Sequence, residues 1–363
     1  MADLVRALTS RGHAVYLAVR PGSPLRQPLS GVIASWHEMP LKNSLDIVSA
    51  RAIAQIIVEH GIDIVHAHVG RDYLVASLAC RRARRAKLVL TRHHYLPLKQ
   101  NVVYRWLLQD VGAVIAVSRS VAMSVAERLA LDLGRVHIIP NWIDPERFKP
   151  VDRDAARAMF KIKSSLAVVC IGEITPAKGQ EEFIRAAGRI ARMRTDVEFL
   201  IAGAENNETG SFTHFLEDLA RKLGIGERVT FNGFVHHLPE LLAAVDVVVV
   251  PSWDEGFSLV TLEALASKRA VIASDAGGIR DILKDNTTGM LFAPRDVNAL
   301  ANKLLWVLSD APLRERLAAQ GQRDVYTRYN RDQIIGRIEG VYRQVLGLDG
   351  EAPSTNTNDD GYP

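Results

Sequence analysis

Short apolar runs of Val, Ile, Leu and Ala recur along this chain, and longer stretches with helical spacing separate them. Strand-like runs fall at 14–19, 62–67, 87–91, 113–116, 136–139, 166–171, 198–202, 229–231, 246–250 and 270–273. A strand buried on both faces reads as a continuous apolar run rather than an alternating one. Helical patterns fill the intervals, for example 45–60, 181–194, 212–223 and 259–267. Repeated β–α order leaves few folds open, and all of them place helices over parallel sheets. The order pauses once, at 140–154, where Pro140, Pro145 and Pro150 punctuate the chain as a linker would. We therefore expect an α/β protein with domains at 1–148 and 149–328, then a helix within 329–346. The tail 347–363 is rich in Asn, Thr, Asp and Pro, and is expected to be disordered.

The totals agree with this reading. A length of 363 residues suits two domains, and 48% hydrophobic residues can fill two cores. The net charge of +4 tilts the chain toward anionic partners. The two cysteines, Cys80 and Cys170, lie far apart in apolar stretches and form no metal-ligand spacing. No apolar run reaches the roughly 18–20 residues of a membrane-spanning helix. The start, Met1-Ala-Asp-Leu, has no basic segment leading into an apolar one, so a cytoplasmic protein is expected. No glycine fingerprint, phosphate loop or nucleophile elbow is present, which argues against dehydrogenase, kinase and hydrolase chemistry. No aromatic residues interleave with basic ones on a strand, so nucleic acid is not an expected partner.

Three segments carry candidate chemistry. In Pro251-Ser-Trp-Asp-Glu255-Gly-Phe-Ser-Leu-Val-Thr-Leu-Glu263, a buried strand ends, a short loop follows and a helix begins near Ser258. Ligands of α/β folds bind beyond the carboxyl ends of strands. The free amides of Ser258, Leu259 and Val260 would form an anion site at that helix start, and Gly256 would let backbone approach a phosphate. Glu255 and Glu263 flank it, placed to accept hydrogen bonds from hydroxyl groups at either end of an elongated anion. Two solvated glutamates near a helix start are the alternative.

The second segment, Gly172-Glu173-Ile-Thr-Pro-Ala-Lys178-Gly179, follows a strand directly and gives Lys178 reach toward the same anion, unless it is a solvated turn lysine. The third pairs two strand ends, Asp63-Ile-Val-His66-Ala-His68 and Thr91-Arg92-His93-His94, whose histidines could orient a sugar or handle a proton. No carboxylate accompanies them, and no metal site is expected. Asp152-Arg-Asp154 spells a metal–nucleotide motif but lies in the linker rather than at a strand end. The cluster Arg81, Arg82, Arg84, Arg85 and Lys87 has two open readings, cations at a helix C-terminus or a seat on acidic lipid headgroups.

Taken in order, these pieces resemble the retaining GT-B glycosyltransferases of family 4, the glycosyl transferases group 1. Arg11-Gly-His-Ala-Val, Asp63-Ile-Val-His-Ala-His, Thr91-Arg-His93, Ile139-Pro-Asn141-Trp-Ile-Asp144, Phe148, Gly172 to Gly179, Gly203, Gly233-Phe-Val235 and Glu255-x7-Glu263 carry the likeness. It implies two Rossmann-like domains with parallel sheets facing across a cleft, and a last helix crossing back to the first domain. It implies a nucleotide-diphosphate sugar as donor (UDP-, GDP- or ADP-linked), with no cofactor and no metal. The implied acceptor is a glycan or lipid-linked molecule, in lipopolysaccharide or other envelope polysaccharide synthesis, at the inner face of an anionic membrane.

Residue by residue, the resemblance makes His93, Glu255 and Lys178 catalytic. It makes Glu263, Gly256, Phe257, Ser258, Leu259, Val260, Val235, Gly203 and Glu173 donor-binding. Glu263 would take ribose hydroxyls, Glu255 the transferred sugar, Lys178 and the three amides the diphosphate, and the segment at Val235 the base. His93 would face the sugar from the first domain.

Two departures qualify the likeness. Glu173 stands where the family usually has Arg, so it must turn away from the diphosphate or pair with a cation. The family also opens with a strand and glycine-rich loop, whereas Ala2–Ser10 already reads as the following helix. Either the first domain lacks its first strand or neighbouring strands close the gap. A GT-B protein that binds nucleotide sugar with little or no catalysis is the alternative to an active enzyme.

Overall fold

The structure is a computed structural model that describes residues 1–94, 106, 108–129, 133–206 and 210–348. It divides into two compact units. Unit 1 comprises the described residues of Met1–Ala116, Ala122–Ile139 and Asp332–Pro363; unit 2 comprises Val117–Val121 and those of Pro140–Arg331.

Unit 1 opens with α1 (Ala2–Ser10) and carries β1 (Tyr16–Val19), β2 (Ser35–Glu38), α2 (Ile47–Glu59), β3 (Ile64–Ala67), α3 (Tyr73–Ala83), β4 (Lys87–Arg92), β5 (Val111–Ala116), most of α4 (Arg119–Leu129) and β6 (Val136–Ile138). Two parallel sheets form, β3-β4-β5-β6 and the separate pair β1-β2. β1 and β3 do not pair, so neighbouring strands leave open the gap that the sequence raised. The Tyr16 ring at the start of β1 stacks on His60 just before β3, with centroids 4.7 Å apart. Helices α2 and α3 bury Ala54, Ile57, Ala79 and Ala86 together.

Unit 2 carries α5 (Arg153–Met159), β7 (Leu166–Ile171), α6 (Gln180–Ala191), β8 (Val197–Ala202), α7 (Ser211–Lys222), β9 (Val229–Phe231), α8 (Leu238–Ala244), β10 (Val247–Val250), α9 (Leu259–Ala266), β11 (Ala270–Ser274), α10 (Ile279–Ile282), β12 (Met290–Phe292), α11 (Val297–Ser309) and α12 (Ala311–Arg328). Its six strands are all parallel, in the order β12-β11-β10-β7-β8-β9. The chain winds outward from β7 in one direction and, after β9, from β10 in the other. The reversal lies between β7 and β10, and their carboxyl ends open the crevice where such sheets take ligands. The four valines of β10 are all buried, as a strand covered on both faces requires. Phe183 of α6 packs edge-on against Phe199 of β8, both fully buried.

The last helix, α13 (Arg331–Leu346), contributes from Asp332 onward to unit 1. Its Glu339 accepts from Arg11 (2.9 Å) and pairs with His13 (3.0 Å), and its Tyr342 hydroxyl meets His66 Nδ1 at 2.7 Å. The tail expected to be disordered lies outside the described residues from 349 onward. Cys80 is half-buried and Cys170 buried, and desolvation pushes both thiols up to about 12, so both stay protonated. Among the described residues no helix is long and apolar enough to cross a membrane.

Phe183 anchors the core of unit 2. Phe183→Ala is expected to cost about 3–5 kcal/mol by leaving a cavity between α6 and β8. Denaturant unfolding that showed under 1 kcal/mol of loss would contradict this packing account.

Candidate functional site

The carboxyl ends of the unit 2 strands are fastened to one another by backbone. Gly203, after β8, has φ +156°, and a Cβ there would lie 1.8 Å from the Gly172 carbonyl oxygen after β7. Gly203 N–H donates to the Gly233 carbonyl after β9 (2.7 Å), and Ile174 N–H to that of Ala204 (3.0 Å). Gly179 has φ +74°, and its Cβ would lie 2.1 Å from the Pro251 carbonyl oxygen after β10. Trp253 N–H donates to the Ala177 carbonyl (2.8 Å), and Gly278 N–H, after β11, to that of Glu255 (2.8 Å). Loops following five strands therefore meet main chain to main chain, at separations only glycine permits.

On this platform Ser258 caps α9. Its hydroxyl oxygen accepts from Thr261 N–H (3.2 Å) and from the Thr261 hydroxyl (2.9 Å). The first backbone bond of the helix runs from Leu262 N–H to the Ser258 carbonyl (3.3 Å), so the amides of Ser258, Leu259 and Val260 all precede it. Phe257 is buried and lies against Tyr329, with centroids 6.0 Å apart, which fixes the entry to the helix.

The charged groups are already paired. Lys178 Nζ donates to Glu255 Oε2 at 2.7 Å, joining the loops after β7 and β10. Glu263 sits one turn into α9 with Arg147 at 3.5 Å. Burial pushes the Glu263 carboxyl up to about 7, and Arg147 only partly opposes that rise. Glu173 is exposed; its carboxylate accepts from Asn206 Nδ2 (2.6 Å) and its backbone carbonyl from Gln180 Nε2 (2.8 Å). The side-chain partner of Glu173 is thus a neutral amide and not the cation that the sequence reading named. Val235 is half-buried in the loop between β9 and α8, beside the exposed ring of Phe234. Asp152 accepts from Ala155 N–H at 2.9 Å, so the linker Asp-x-Asp caps α5.

Unit 1 gathers three histidines. The rings of His66 and His68 lie 4.0 Å apart, and His68 stacks over His93 at 5.8 Å. His66 is hydrogen-bonded through both nitrogens, to Tyr342 and to Thr91 Oγ1 (2.6 Å). Burial lowers all three, His66 to about 3 and His93 to about 4, with neighbouring histidines adding to it. At neutral pH the cluster is uncharged, suited to hydrogen bonding rather than to charge. Among the described residues no group of ligating side chains could hold a metal ion.

Sequence reasoning missed Arg147, Asn206 and the Tyr342–His66 bond. Each comes from a segment remote from its partner, and no local pattern signals it. Trp253 was quoted but given no role; its indole N–H donates to Glu182 (2.9 Å), and Arg295 lies over its ring at 3.8 Å.

Comparison with known proteins gives the family. Residues 152–324 match the model for glycosyl transferases group 1, and residues 1–147 that for glycosyltransferase family 4. A D-inositol 3-phosphate glycosyltransferase of Mycobacterium sp. (strain KMS) is 30% identical over 86% of this chain and 74% of that protein. The chain belongs to the family 4 glycosyltransferases. An alpha-D-kanosaminyltransferase of Streptomyces kanamyceticus is 28% identical over 66% of this chain and 62% of that protein. The chain spans 58% to 62% of the length of that protein and of two other curated glycosyltransferases.

Solved structures share the GT-B fold. A glycosyltransferase from Rickettsia africae aligns with a TM-score of 0.86 at 21% identity, over 95% of this chain and 93% of that one. Anabaena HepE in complex with UDP and glucose aligns at 0.81 and 21% identity, over 93% and 95%.

The raised Glu263 carboxyl makes stability depend on pH. It titrates near 7 when folded against an ordinary 4.5, so its contribution is intact below 4.5 and declines as pH rises through about 7. Glu263→Gln is therefore expected to stabilise the ligand-free protein above pH 7, by roughly 3 kcal/mol at most, and to leave it unchanged near pH 4.5. Equal melting temperatures for the two proteins at pH 8 would show that this carboxyl is not strained.

Proposed function

We propose that this protein transfers a sugar from a nucleotide-diphosphate sugar to a glycan or lipid-linked acceptor, with retention of configuration at the transferred carbon. One arrangement carries the reading: unused amides at the start of α9, with Lys178 and Glu255 on one side and Glu263 on the other.

A diphosphate placed at Ser258–Val260 would meet N–H donors and the positive end of the helix. Lys178, released from Glu255, would add a cation where negative charge develops on the departing phosphate. Glu255, freed of Lys178, would accept from hydroxyls of the sugar. Glu263, ionised and turned from Arg147, would accept from the two ribose hydroxyls. The fastened loops hold these groups in place before the ligand arrives, so little ordering remains to be done on binding. The base would lie along the loop at Val235, with Gly203 and Gly256 leaving room for backbone contact.

The neutral His93 is suited to a hydrogen bond with a sugar hydroxyl, and we assign acceptor chemistry to unit 1. UDP is the favoured carrier, because HepE, which shares the fold, was seen with UDP and glucose. Cell-envelope polysaccharide or lipopolysaccharide is the assigned product class, made at the inner membrane face, where the α3 arginines would meet acidic headgroups. Catalytic competence is tied to Glu173, which follows β7 at the end where the diphosphate would lie and has Asn206 as its hydrogen-bond donor. A binding protein without turnover is the reading that Glu173 favours.

The test is transfer and hydrolysis of UDP-, GDP- and ADP-sugars together with calorimetric binding. Glu255→Gln is expected to lower kcat about 100-fold with donor affinity nearly unchanged. Glu263→Gln is expected to weaken donor binding about ten-fold or more. Binding of the intact nucleotide sugar should tighten as pH rises through about 7 in the wild type and stay flat in Glu263→Gln. Binding without turnover would support the inactive reading, and loss of neither property in either variant would overturn the site.

A further inference from the structure

The amino ends of β10 and β11 hold a second pocket, at the end of the unit 2 sheet opposite the donor contacts. Its volume is about 320 Å³, and Arg153, Asp246, Lys268, Arg269, Arg314 and Glu315 line it. That volume lies in the range of small-ligand sites. Strands of four and five residues separate this pocket from the loops at the other end, on the order of 15 Å along the sheet.

Four cations face two carboxylates, and one carboxylate is already used. Asp246 binds Arg153 at 2.8 Å and Arg157 at 3.8 Å, and also accepts from Ala167 N–H (2.8 Å). Glu315 is exposed. Arg269 and Arg314 are held by backbone rather than by acids. Arg269 donates through Nε to the Ser267 carbonyl (2.9 Å) and through one terminal nitrogen to that of Val245 (3.1 Å). Arg314 donates through one terminal nitrogen to the carbonyls of Val307 (3.0 Å) and Leu308 (3.4 Å). Each guanidinium is therefore fixed in orientation while keeping a terminal nitrogen with no acceptor among the described residues.

Lys268 has no ion-pair partner among the described residues, and its backbone is held in the left-handed region at φ +56°. With four cations to two carboxylates, positive charge is in excess here, and burial and the charge of Arg153 lower Arg269 from its ordinary value with Asp246 opposing them only in part. An anion would relieve it.

We propose that this pocket is a binding site for a phosphate-bearing anion, separate from the donor site. Planar guanidinium forks match the oxygens of a phosphate in pairs, and a lysine supplies a point charge beside them. Backbone-anchored arginines lose little freedom on binding, unlike solvated surface ones. The phosphate can come from a soluble phosphate ester or from an anionic phospholipid headgroup, since both present the same group.

Arginine-selective modification with phenylglyoxal, read peptide by peptide on the full chain, tests the site. Mapping by residue keeps it apart from any phosphate bound at α9. Inorganic pyrophosphate, or vesicles of phosphatidylglycerol in phosphatidylcholine, is expected to slow modification of Arg269 and Arg314 while exposed Arg189 reacts at its usual rate. Protection by pyrophosphate alone assigns a soluble ester, and protection by vesicles alone assigns a headgroup. Lys268→Gln, an exposed change that leaves the core intact, is expected to weaken the protecting agent about ten-fold. Unchanged rates at Arg269 and Arg314 with both probes, or protection undiminished in Lys268→Gln, would overturn the proposal.

Discussion

The close approach of main chain to main chain at the carboxyl ends of the unit 2 strands is the constraint on which the candidate site depends. Gly203 against Gly172, Gly179 against Pro251 and Gly278 against Gly256 leave no room for a Cβ, with calculated separations of 1.8, 2.1 and 2.3 Å. Because loops after different strands touch this way, Lys178 and Glu255 come within 2.7 Å although 77 residues separate them. The same fastening presents the start of α9 with its amides unused. Geometry of this kind is set by the sheet and not by flexible side chains.

Charge balance in the site follows from that geometry. A lysine and a glutamate brought together without ligand neutralise one another, and each would otherwise be a part-buried charge. Glu263 is different: its cation lies at 3.5 Å with half its side chain exposed, too weak a partner to offset burial. The carboxyl therefore holds its proton up to about pH 7. An incoming hydroxyl pair would stabilise the charged form and so couple ligand binding to proton release at this residue.

Much of this was legible in the sequence, for physical reasons that differ by element. Continuous apolar runs such as 246–250 announced buried parallel strands, and the Pro251-to-Glu263 segment announced a strand–loop–helix, because both depend on local patterning. The short strands Ser35–Glu38 and Met290–Phe292 did not show. The first is polar, with Ser, His and Glu around one Trp, and the second is only three residues long, so each relies on a neighbour for its identity. The Asp152-Arg-Asp154 motif was ambiguous until the structure placed Asp152 as a helix cap. Glu173 could be flagged as unusual from sequence, but its partner Asn206 is a long-range contact. The histidine stack was half legible: two strand ends could be paired by topology, whereas Tyr342, 276 residues away from His66, could not.

On the two proposals, the ends of the unit 2 sheet would serve two kinds of anion chemistry on one scaffold. At the carboxyl ends, backbone amides and a helix start provide donors, and the one nearby lysine is already committed to Glu255. At the amino ends, donors come from side chains anchored on the carbonyls of Val245, Ser267, Val307 and Leu308. A parallel sheet produces this asymmetry by itself. Helices begin near the carboxyl ends of strands and finish near the amino ends, so amides collect at one edge and carbonyls at the other. Carbonyls at helix ends attract arginines, and arginines gathered for that structural reason leave unspent donors facing solvent. The cationic pocket is thus a consequence of how the fold closes its helix C-termini, and an anion placed there would use groups that the architecture had already assembled.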